Sequence, residues 1–428
     1  MLHWQLQKLE DLTENDRQIT YGVVKPGPED PVDGVKFIRG GDIYEGRILA
    51  ENLRTITADV SSSYRRTLLK GGELVVSLVG NPGHVAIVPG SLAGANLARQ
   101  AGLVALRPDV DAHFVKYFLM SPLGRAELFS QMTGSVQVVI NLANLRGVRV
   151  PLPPLPIQRR IAGILSAYDD LIENSQRRIK ILEEMARRLY REWFVHFRFP
   201  GHEGCRFVES PLGEIPEGWE VTRLGDVTSK IGSGATPKGG KGAYKSEGIH
   251  LIRSLNIYDY SFEFNNLAFI DEIQAAGLDN VEVKAEDVLL NITGASVARC
   301  AMVPSYLLPA RVNQHVAIVR ADKSKASSFY LLDAINSDFH KQQLLAFAQG
   351  GATREALTKD TISAFQVVLP PATLMNRYRG IAGDIHLQRE VLLRQVQNLR
   401  RTRDLLLPCL LSGQIDVETL TQPDLSDV

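Results

Sequence analysis

Residues 152–163 read Leu-Pro-Pro-Leu-Pro-Ile-Gln-Arg-Arg-Ile-Ala-Gly, and residues 369–383 return to this pattern with a second Leu-Pro-Pro and a second Ile-Ala-Gly. An Arg-rich stretch with helical periodicity follows each proline cluster. Prolines of this kind mark the end of one segment and tolerate the first turn of a helix. A chain in which such a unit occurs twice is predicted to carry an internal two-fold repeat.

The repeat extends outside the helical stretches. Trp4–Asp11 parallels Trp219–Asp226, and Gly72–Leu78 parallels Glu286–Ile292, in the same order in both halves. Between them lie short apolar runs separated by Gly, Pro and Asn, with one helical stretch in each half, which predicts two mixed α/β modules. We therefore predict module 1 at 1–150, a helical segment at 151–206, module 2 at 207–368, a second helical segment at 369–413 and a C-terminal tail at 414–428.

The helical segments have the heptad pattern of a coiled coil. In the first, one seam position holds Leu165, Ile172, Ile179, Ala186 and Trp193, and the other holds Ile161, Tyr168, Ser175, Leu182 and Leu189. In the second, one seam position holds Ile385, Leu392, Leu399 and Leu406, and the other is expected to hold Ile381, Gln388, Gln395 and Thr402. We expect the two helices to pair antiparallel as a spacer rod of roughly 60 Å between the modules. Two separate surface helices are the alternative.

Composition bounds the class of protein without naming a function. The 428 residues are enough for two or three domains, and the formal net charge of +0 leaves room only for local basic patches. The three cysteines lie far apart and offer neither a metal spacing nor a disulfide framework. No apolar run is long enough for a membrane span, and the N-terminus lacks the pattern of a secretory signal. We expect a cytoplasmic protein.

Signatures of enzymes are incomplete. The stretch around Gly240-Lys241 approaches a phosphate-binding loop, but Gly242 stands where Ser or Thr would bind magnesium. Asp271 with Glu282-Val283-Lys284 only loosely resembles a metal-dependent nuclease site. The histidines have no ligand spacing. We therefore expect no catalytic residues, no bound metal and no cofactor in this chain.

Candidate DNA-binding residues lie in loops that follow matching strands of the two modules. Lysines, hydroxyls and an aromatic ring in the glycine-rich stretch 232–245 suit phosphate contact, and Arg and Asn suit base edges. The alternatives are a solvated surface loop and internal salt bridges of the arginines. The candidates are Lys25, Arg39, Asp42, Asn81, His84, Ser233, Thr236, Lys238, Lys241, Tyr244, Lys245, Arg253, Ser254, Asn256 and Arg354.

Arginine pairs recur along the helical segments, mixed with acidic residues. They are candidates for docking partner subunits, and the alternative is the solvated flank of a coiled coil. The candidates are Arg159, Arg160, Arg187, Arg188, Arg400 and Arg401.

Four segments together resemble one known family. They are the proline-led Leu152–Ala162, the closing Leu405–Ile415, Gly232–Pro237 at the start of module 2, and Ile19–Gly27 in module 1. In these segments, and in its repeated layout over essentially its whole length, the chain is similar to the specificity subunit of type I restriction-modification systems.

The resemblance implies two target-recognition domains that each read half of an asymmetric, bipartite DNA site. The paired helices would fix the gap between the halves and dock two modification (methyltransferase) subunits. Those subunits would bind S-adenosylmethionine and methylate adenine, and restriction subunits would add ATP- and Mg-dependent translocation and cleavage. Two other functions stay open at this point: a nuclease or methyltransferase in its own right, and a coiled-coil assembly protein without a DNA role.

Overall fold

The structure is a computed structural model that describes residues 4–130, 139–349 and 356–418. The chain divides into two compact units, one formed by Met1–Asn174 with Val396–Val428 and the other by Ser175–Gln395. Each unit contains one module and a part of each of two long helices. The division falls inside the long helices, beyond the module boundaries expected from the proline clusters.

Module 1 consists of small sheets covered by short helices. A four-stranded antiparallel sheet has the strand order Thr20–Tyr21, Ala101–Val104, Leu74–Ser77 and Val85–Ile87. A three-stranded sheet has the order Arg54–Ile56, Val35–Ile38 and Asn96–Leu97, with the last two strands parallel. Two antiparallel pairs complete the module: Ile43–Tyr44 with Arg47–Ile48, and Gln5–Lys8 with Arg149–Leu152.

The short helices of module 1 begin where the sequence offers capping side chains. Asp111 accepts a hydrogen bond from Phe114 N at the start of Ala112–Met120, and Ser121 accepts one from Gly124 N at the start of Pro122–Phe129. Such caps satisfy amides that the first turn leaves without a partner. Further helices span Ala58–Ser63, capped by Thr57, and Leu142–Gly147, capped by Asn141.

Module 2 repeats this plan. Its four-stranded antiparallel sheet has the order Thr228–Ser233, Val316–Ala321, Val288–Asn291 and Cys300–Met302. A second sheet has the order Ala268–Ile270, Ile249–Ile252, Ala310–Val312 and Glu282–Val283. The remaining pairs are Ile257–Tyr258 with Ser261–Phe262, Glu220–Arg223 with Gln366–Leu369, and Phe207–Val208 with Ile215–Pro216. The helices span Glu272–Ala276, Ser328–Asn336, Asp338–Gln349 and Lys359–Ala364.

The two modules have the same strand order in their four-stranded antiparallel sheets, and their second sheets share three strands in the same order. In both, the second sheet contains one parallel pairing, Val35–Ile38 with Asn96–Leu97 in module 1 and Ile249–Ile252 with Ala310–Val312 in module 2. Module 2 adds the edge strand Glu282–Val283. The predicted mixed α/β fold with an internal repeat is confirmed.

Two long helices span Leu155–Tyr190 and Ala372–Leu411; they are called helix A and helix B below. A π-helical turn at Arg191–Val195 follows helix A. In the first unit Asp169 of helix A contacts Arg403 of helix B, and Leu165 packs in one cluster with Leu407. In the second unit Glu183 contacts Arg389, and Trp193 of the π-helical turn packs against Tyr378. Rising numbers on one helix meet falling numbers on the other, so the helices run antiparallel within each unit.

Helix A buries the seam that its heptads predict. Ile161, Leu165, Ile172 and Ile179 are buried, and Tyr168, Leu182 and Leu189 are partly buried. On helix B, Ile385 and Leu392 are buried, and Leu399 and Leu406 are partly buried.

The second seam position of helix B differs from the expectation. Ile381 is 40% exposed, and the expected partners in its row, Gln388, Gln395 and Thr402, are exposed as well. The second seam position of helix B is instead occupied by Ala382, Arg389, Val396 and Arg403, which are spaced by seven residues. Heptad spacing alone allows either row, because seam residues recur at steps of three and four. The two arginines of the buried row find carboxylates on helix A, which the apolar pattern of helix B alone does not reveal.

Candidate nucleic-acid interface

The glycine-rich loop of module 2 leaves the edge strand Thr228–Ser233 and is held in place by its backbone. A Cβ on Gly234 would lie 2.0 Å from the carbonyl oxygen of Val312, so only glycine fits there. Lys238 donates its backbone N–H to the side chain of Gln274 at 3.1 Å, and the Gln274 amide donates back to Lys238 O at 3.2 Å. These two hydrogen bonds connect the loop to the short helix Glu272–Ala276.

The glycine-rich loop 232–245 presents basic side chains to solvent. Lys238, Lys241 and Lys245 are exposed, as are Ser233 and Thr236. Lys245 Nζ lies 3.6 Å from an Asp271 carboxylate oxygen. A row of exposed lysines on an ordered backbone is suited to phosphate groups.

A chain of hydrogen bonds beside the loop was missed in the sequence. Thr236 Oγ1 donates to Gln314 Oε1 at 2.7 Å, and Gln314 Nε2 lies 3.0 Å from His315 Nε2. His315 Nδ1 shares a hydrogen bond with Thr293 Oγ1 at 2.7 Å. His315, Thr293, Ser254 and Arg299 line one open depression. These groups can donate to or accept from base edges and phosphates, and their alignment depends on strands far apart in the sequence.

Arg253 and Asn256 flank Ser254 and Leu255 of this depression in sequence and have structural roles. The Arg253 guanidinium donates to the carbonyl oxygen of Asn266 and lies over the Tyr244 ring, 5.3 Å from its centroid. Asn256 is fully buried; its side chain accepts from Arg253 N at 3.0 Å and donates to Glu263 O at 2.9 Å. The expectation that Asn256 reads a base edge is corrected, because both ends of its amide bond within the module.

The matching pair in module 1 behaves in the same way. Arg39 donates from Nε and Nη2 to the Asp42 carboxylate at 3.1 and 2.8 Å, and its backbone N–H also donates to Asp42 at 2.8 Å. This carboxylate raises the pKa of Arg39. Asp42 is buried, so it caps the turn rather than facing DNA, and the internal salt bridge of Arg39 is the alternative that the structure contains.

The other candidates of module 1 lie on its loops. Lys25 and Asn81 are exposed. His84 Nδ1 accepts from Glu45 N at 3.4 Å, and its ring packs against Tyr44 with centroids 5.1 Å apart. Burial and the nearby positive charge of Arg125 lower the pKa of His84, which favours the neutral ring. Arg354 lies outside the described residues.

The candidate docking arginines lie on the outer faces of the long helices. Arg159, Arg187, Arg188, Arg400 and Arg401 are exposed, and Arg160 is half-buried. Some have local contacts: Arg188 pairs with Glu184 at 2.6 Å, and Arg187 lies over the Tyr260 ring. None of these six residues occupies the buried seam.

Charged side chains hold module 1 against the long helices. Asp169 of helix A accepts hydrogen bonds from Tyr117 Oη at 2.6 Å, from Arg403 Nη1 at 2.7 Å and from Lys116 Nζ at 3.4 Å. Burial favours protonation of this carboxyl, but the donors outweigh it and lower the pKa of Asp169. Burial also lowers the pKa of Lys116.

In the second unit, Asp333 is buried and accepts from Tyr378 Oη at 2.6 Å and from His386 Nε2 at 3.2 Å, both on helix B. Within module 2, the buried Asp287 receives two hydrogen bonds of 2.7 Å from Arg320. The contacts of Asp333 with helix B fix module 2 to that helix more specifically than apolar packing alone would.

Two properties bear on other classes of function. Across the described ranges, no group of His, Cys, Asp and Glu side chains is arranged to hold a metal ion. In the same part of the chain, no helix has the length and apolar character needed to cross a bilayer.

Comparisons with known proteins agree on one family. Residues 1–184 match the family model described as type I restriction modification DNA specificity domain. The MjaIX specificity subunit of a type I restriction enzyme from Methanocaldococcus jannaschii is 24% identical over 430 residues, covering 97% of this chain and 94% of the relative. The EcoBI specificity subunit from Escherichia coli is 29% identical over 174 residues, covering 40% and 36%.

The fold has a matching solved structure. A type I restriction-modification S subunit from M. genitalium superimposes with a TM-score of 0.63 at 14% identity, covering 95% of this chain and 96% of that one. The repeated α/β modules with two long helices therefore share the fold of that S subunit. The resemblance predicted from the sequence is confirmed: residues 1–184 match this family's model, and the chain is similar over nearly its whole length to a type I specificity subunit. The relatives are named specificity subunits, which agrees with a non-catalytic role.

Proposed function

We propose that each module reads one half of a bipartite, asymmetric DNA site, and that helices A and B set the gap between the halves. Two modification subunits dock on the helices, with the exposed arginines of the outer faces as candidate contacts. S-adenosylmethionine belongs to these partners, and ATP and Mg belong to restriction subunits; this chain binds none of them. Methylation and cleavage are then the work of the partners, in the cytoplasm.

One observation carries the proposal: two modules of one topology present different side chains at an equivalent position. Ile38 pairs with Leu97 in module 1, and Ile252 pairs with Val312 in module 2. Ile38 is therefore equivalent to Ile252, and Leu97 to Val312. Two and three residues further along the chain stand Arg99 and Gln100 in module 1, and Gln314 and His315 in module 2. Two modules of the same topology that present different hydrogen-bonding side chains are suited to binding two different base sequences.

The direct test maps methylated adenines in cells that carry this chain with its modification and restriction subunits. The double variant Q314R/H315Q gives module 2 the residues of module 1 at this position. We expect it to change or abolish recognition of one half of the site and to leave the other half as it was. E184Q, which changes a partly exposed residue of helix A, is the control and is expected to keep the wild-type sites. Altered recognition of both halves, or of neither, would contradict the proposal.

The gap is tested by inserting one heptad after Ser175 of helix A and one after Val396 of helix B, so that the seam is kept. Seven residues add about 10 Å of helix, which corresponds to roughly three base pairs at 3.4 Å each. We expect the non-specific gap in the methylated sites to widen by about that amount. An unchanged gap in an active complex would refute the spacer role.

A further inference from the structure

The seam between helices A and B contains two ion pairs, each of which joins a residue of helix A to a residue of helix B. Glu183 of helix A lies 2.9 Å from Arg389 of helix B in the second unit, and Asp169 lies 2.7 Å from Arg403 in the first unit. The side chain of Arg389 is only 10% exposed and that of Glu183 19%. These charges are therefore largely withdrawn from water. At such a buried position, a charge that lacks its partner or faces a like charge destabilises the folded protein.

The pairs share one register. Asp169 stands two heptads before Glu183 on helix A, and Arg403 stands two heptads after Arg389 on helix B. A slip of one heptad would set Glu183 opposite Ala382 or Val396 and leave all four charges without their partners. Buried polar groups that match only in one alignment are a known means of fixing register in coiled coils.

The internal repeat gives the arrangement a second consequence. Counting from Ile161-Ala162-Gly163 and from Ile381-Ala382-Gly383, Asp169 of helix A corresponds to Arg389 of helix B. By the same count, Glu183 corresponds to Arg403. Both acids are thus on helix A and both arginines on helix B, although the positions are equivalent.

This segregation distinguishes unlike from like helices. If helix A paired with another helix A in the same register, the place of Arg403 opposite Asp169 would be taken by its counterpart Glu183. If helix B paired with another helix B, Arg389 would face Arg403. Pairs of like helices therefore bring equal charges together, and only the A–B pair brings opposite charges together.

We propose that these four residues form a charge code that makes helix A select helix B as its partner and reject a copy of itself. A chain with this code keeps two different modules on one pair of helices. The selection concerns association of helices only and does not depend on the proposed reading of DNA.

The test uses full-length chains and the Glu183–Arg389 pair, because Asp169 also contacts Lys116 and Tyr117. E183R and R389E each place equal charges in the seam and are expected to lower the midpoint of urea unfolding. The combination E183R/R389E in one chain restores opposite charges and is expected to recover most of the loss. E184R, R188E and E184R/R188E alter an exposed pair within helix A and serve as the matched control; they are expected to leave the midpoint near that of the wild type.

The selection itself is tested between chains. When E183R and R389E chains with different tags are co-expressed, helix A of each chain is complementary to helix B of the other at every seam charge. We expect the two tags to co-purify at least on the order of tenfold more than in wild type with wild type, or in either variant with itself. This readout stands even if a single variant folds poorly alone, since the partner chain supplies the missing charge.

Three results would overturn the proposal. They are unchanged unfolding of both single variants, failure of E183R/R389E to recover stability, and co-purification of the two variants at the wild-type level. Lost DNA methylation with intact charge-selected association would instead count against the proposed function alone.

Discussion

Replacing Asp169 by Asn removes the charge that joins helix A to module 1 and to helix B. The carboxylate accepts from Tyr117, Arg403 and Lys116, and the side chain of Lys116 is only 8% exposed. Breaking a buried ion pair costs about 3–5 kcal/mol, because the remaining charge stays buried without its partner. Asp169 itself is 24% exposed, so we expect the lower end, a loss of about 3 kcal/mol in the free energy of unfolding.

The loss should depend on pH. Because the folded protein lowers the pKa of Asp169, its carboxylate contributes stability that is complete above the unfolded pKa of about 3.9. That contribution disappears as the pH falls through the folded pKa. The difference between wild type and D169N should therefore be largest near neutral pH and shrink below about pH 4.

Urea unfolding followed by circular dichroism at several pH values measures this difference. Hydrogen exchange of the amides in Ala112–Met120 then reports whether the loss is local to the helix that carries Lys116 and Tyr117. D170N, at the exposed neighbouring position, is the control and should match the wild type. A D169N chain within about 0.5 kcal/mol of the wild type at pH 7, the range of ordinary surface changes, would refute the reasoning.

Three further outcomes are expected. R320M strands a buried carboxylate in module 2 and should cost about 3 kcal/mol in chemical unfolding, whereas K323M, which breaks an exposed ion pair, should cost less than about 1 kcal/mol; equal losses would contradict this. G234A forces the backbone away from a carbonyl and should destabilise module 2 in thermal unfolding, while G232A has open space and should cost clearly less; a neutral G234A would be inconsistent with the close approach. K241A should weaken DNA binding of the complete complex similarly for all sequences and reduce the slope of log affinity against log salt by about 0.9; an unchanged slope would exclude a phosphate contact.

The long helices could be predicted because their pattern is local. Seven-residue spacing of Leu165, Ile172 and Ile179 identifies a buried seam without knowledge of the partner. The second row of helix B could not be predicted from helix B alone. Ile381 is the more apolar choice, but Arg389 is buried and Arg403 is half-buried because acids on helix A face them. Where the partner decides, the apolar pattern of one helix is insufficient.

The candidate site shows the same limit. Its loops were identified from glycines and lysines, which are local signals, and the loop 232–245 does present exposed lysines. The roles of individual polar residues depend on strand pairing. Asn256 was expected outside and is buried, whereas Gln314 and His315 were not chosen and lie in the hydrogen-bonded chain. The correspondence of Gln314-His315 with Arg99-Gln100 is the signal that would have found them.

Each module is closed by an antiparallel strand pair at its two ends, Gln5–Lys8 with Arg149–Leu152 and Glu220–Arg223 with Gln366–Leu369. The points where the chain enters and leaves a module are therefore neighbours. They are joined by backbone hydrogen bonds, which are compatible with many side chains. Replacing everything between those strands would therefore leave the junction with the helices unchanged. If each module reads its own half of the site as proposed, exchanging one whole module would change one specificity and leave the other module intact.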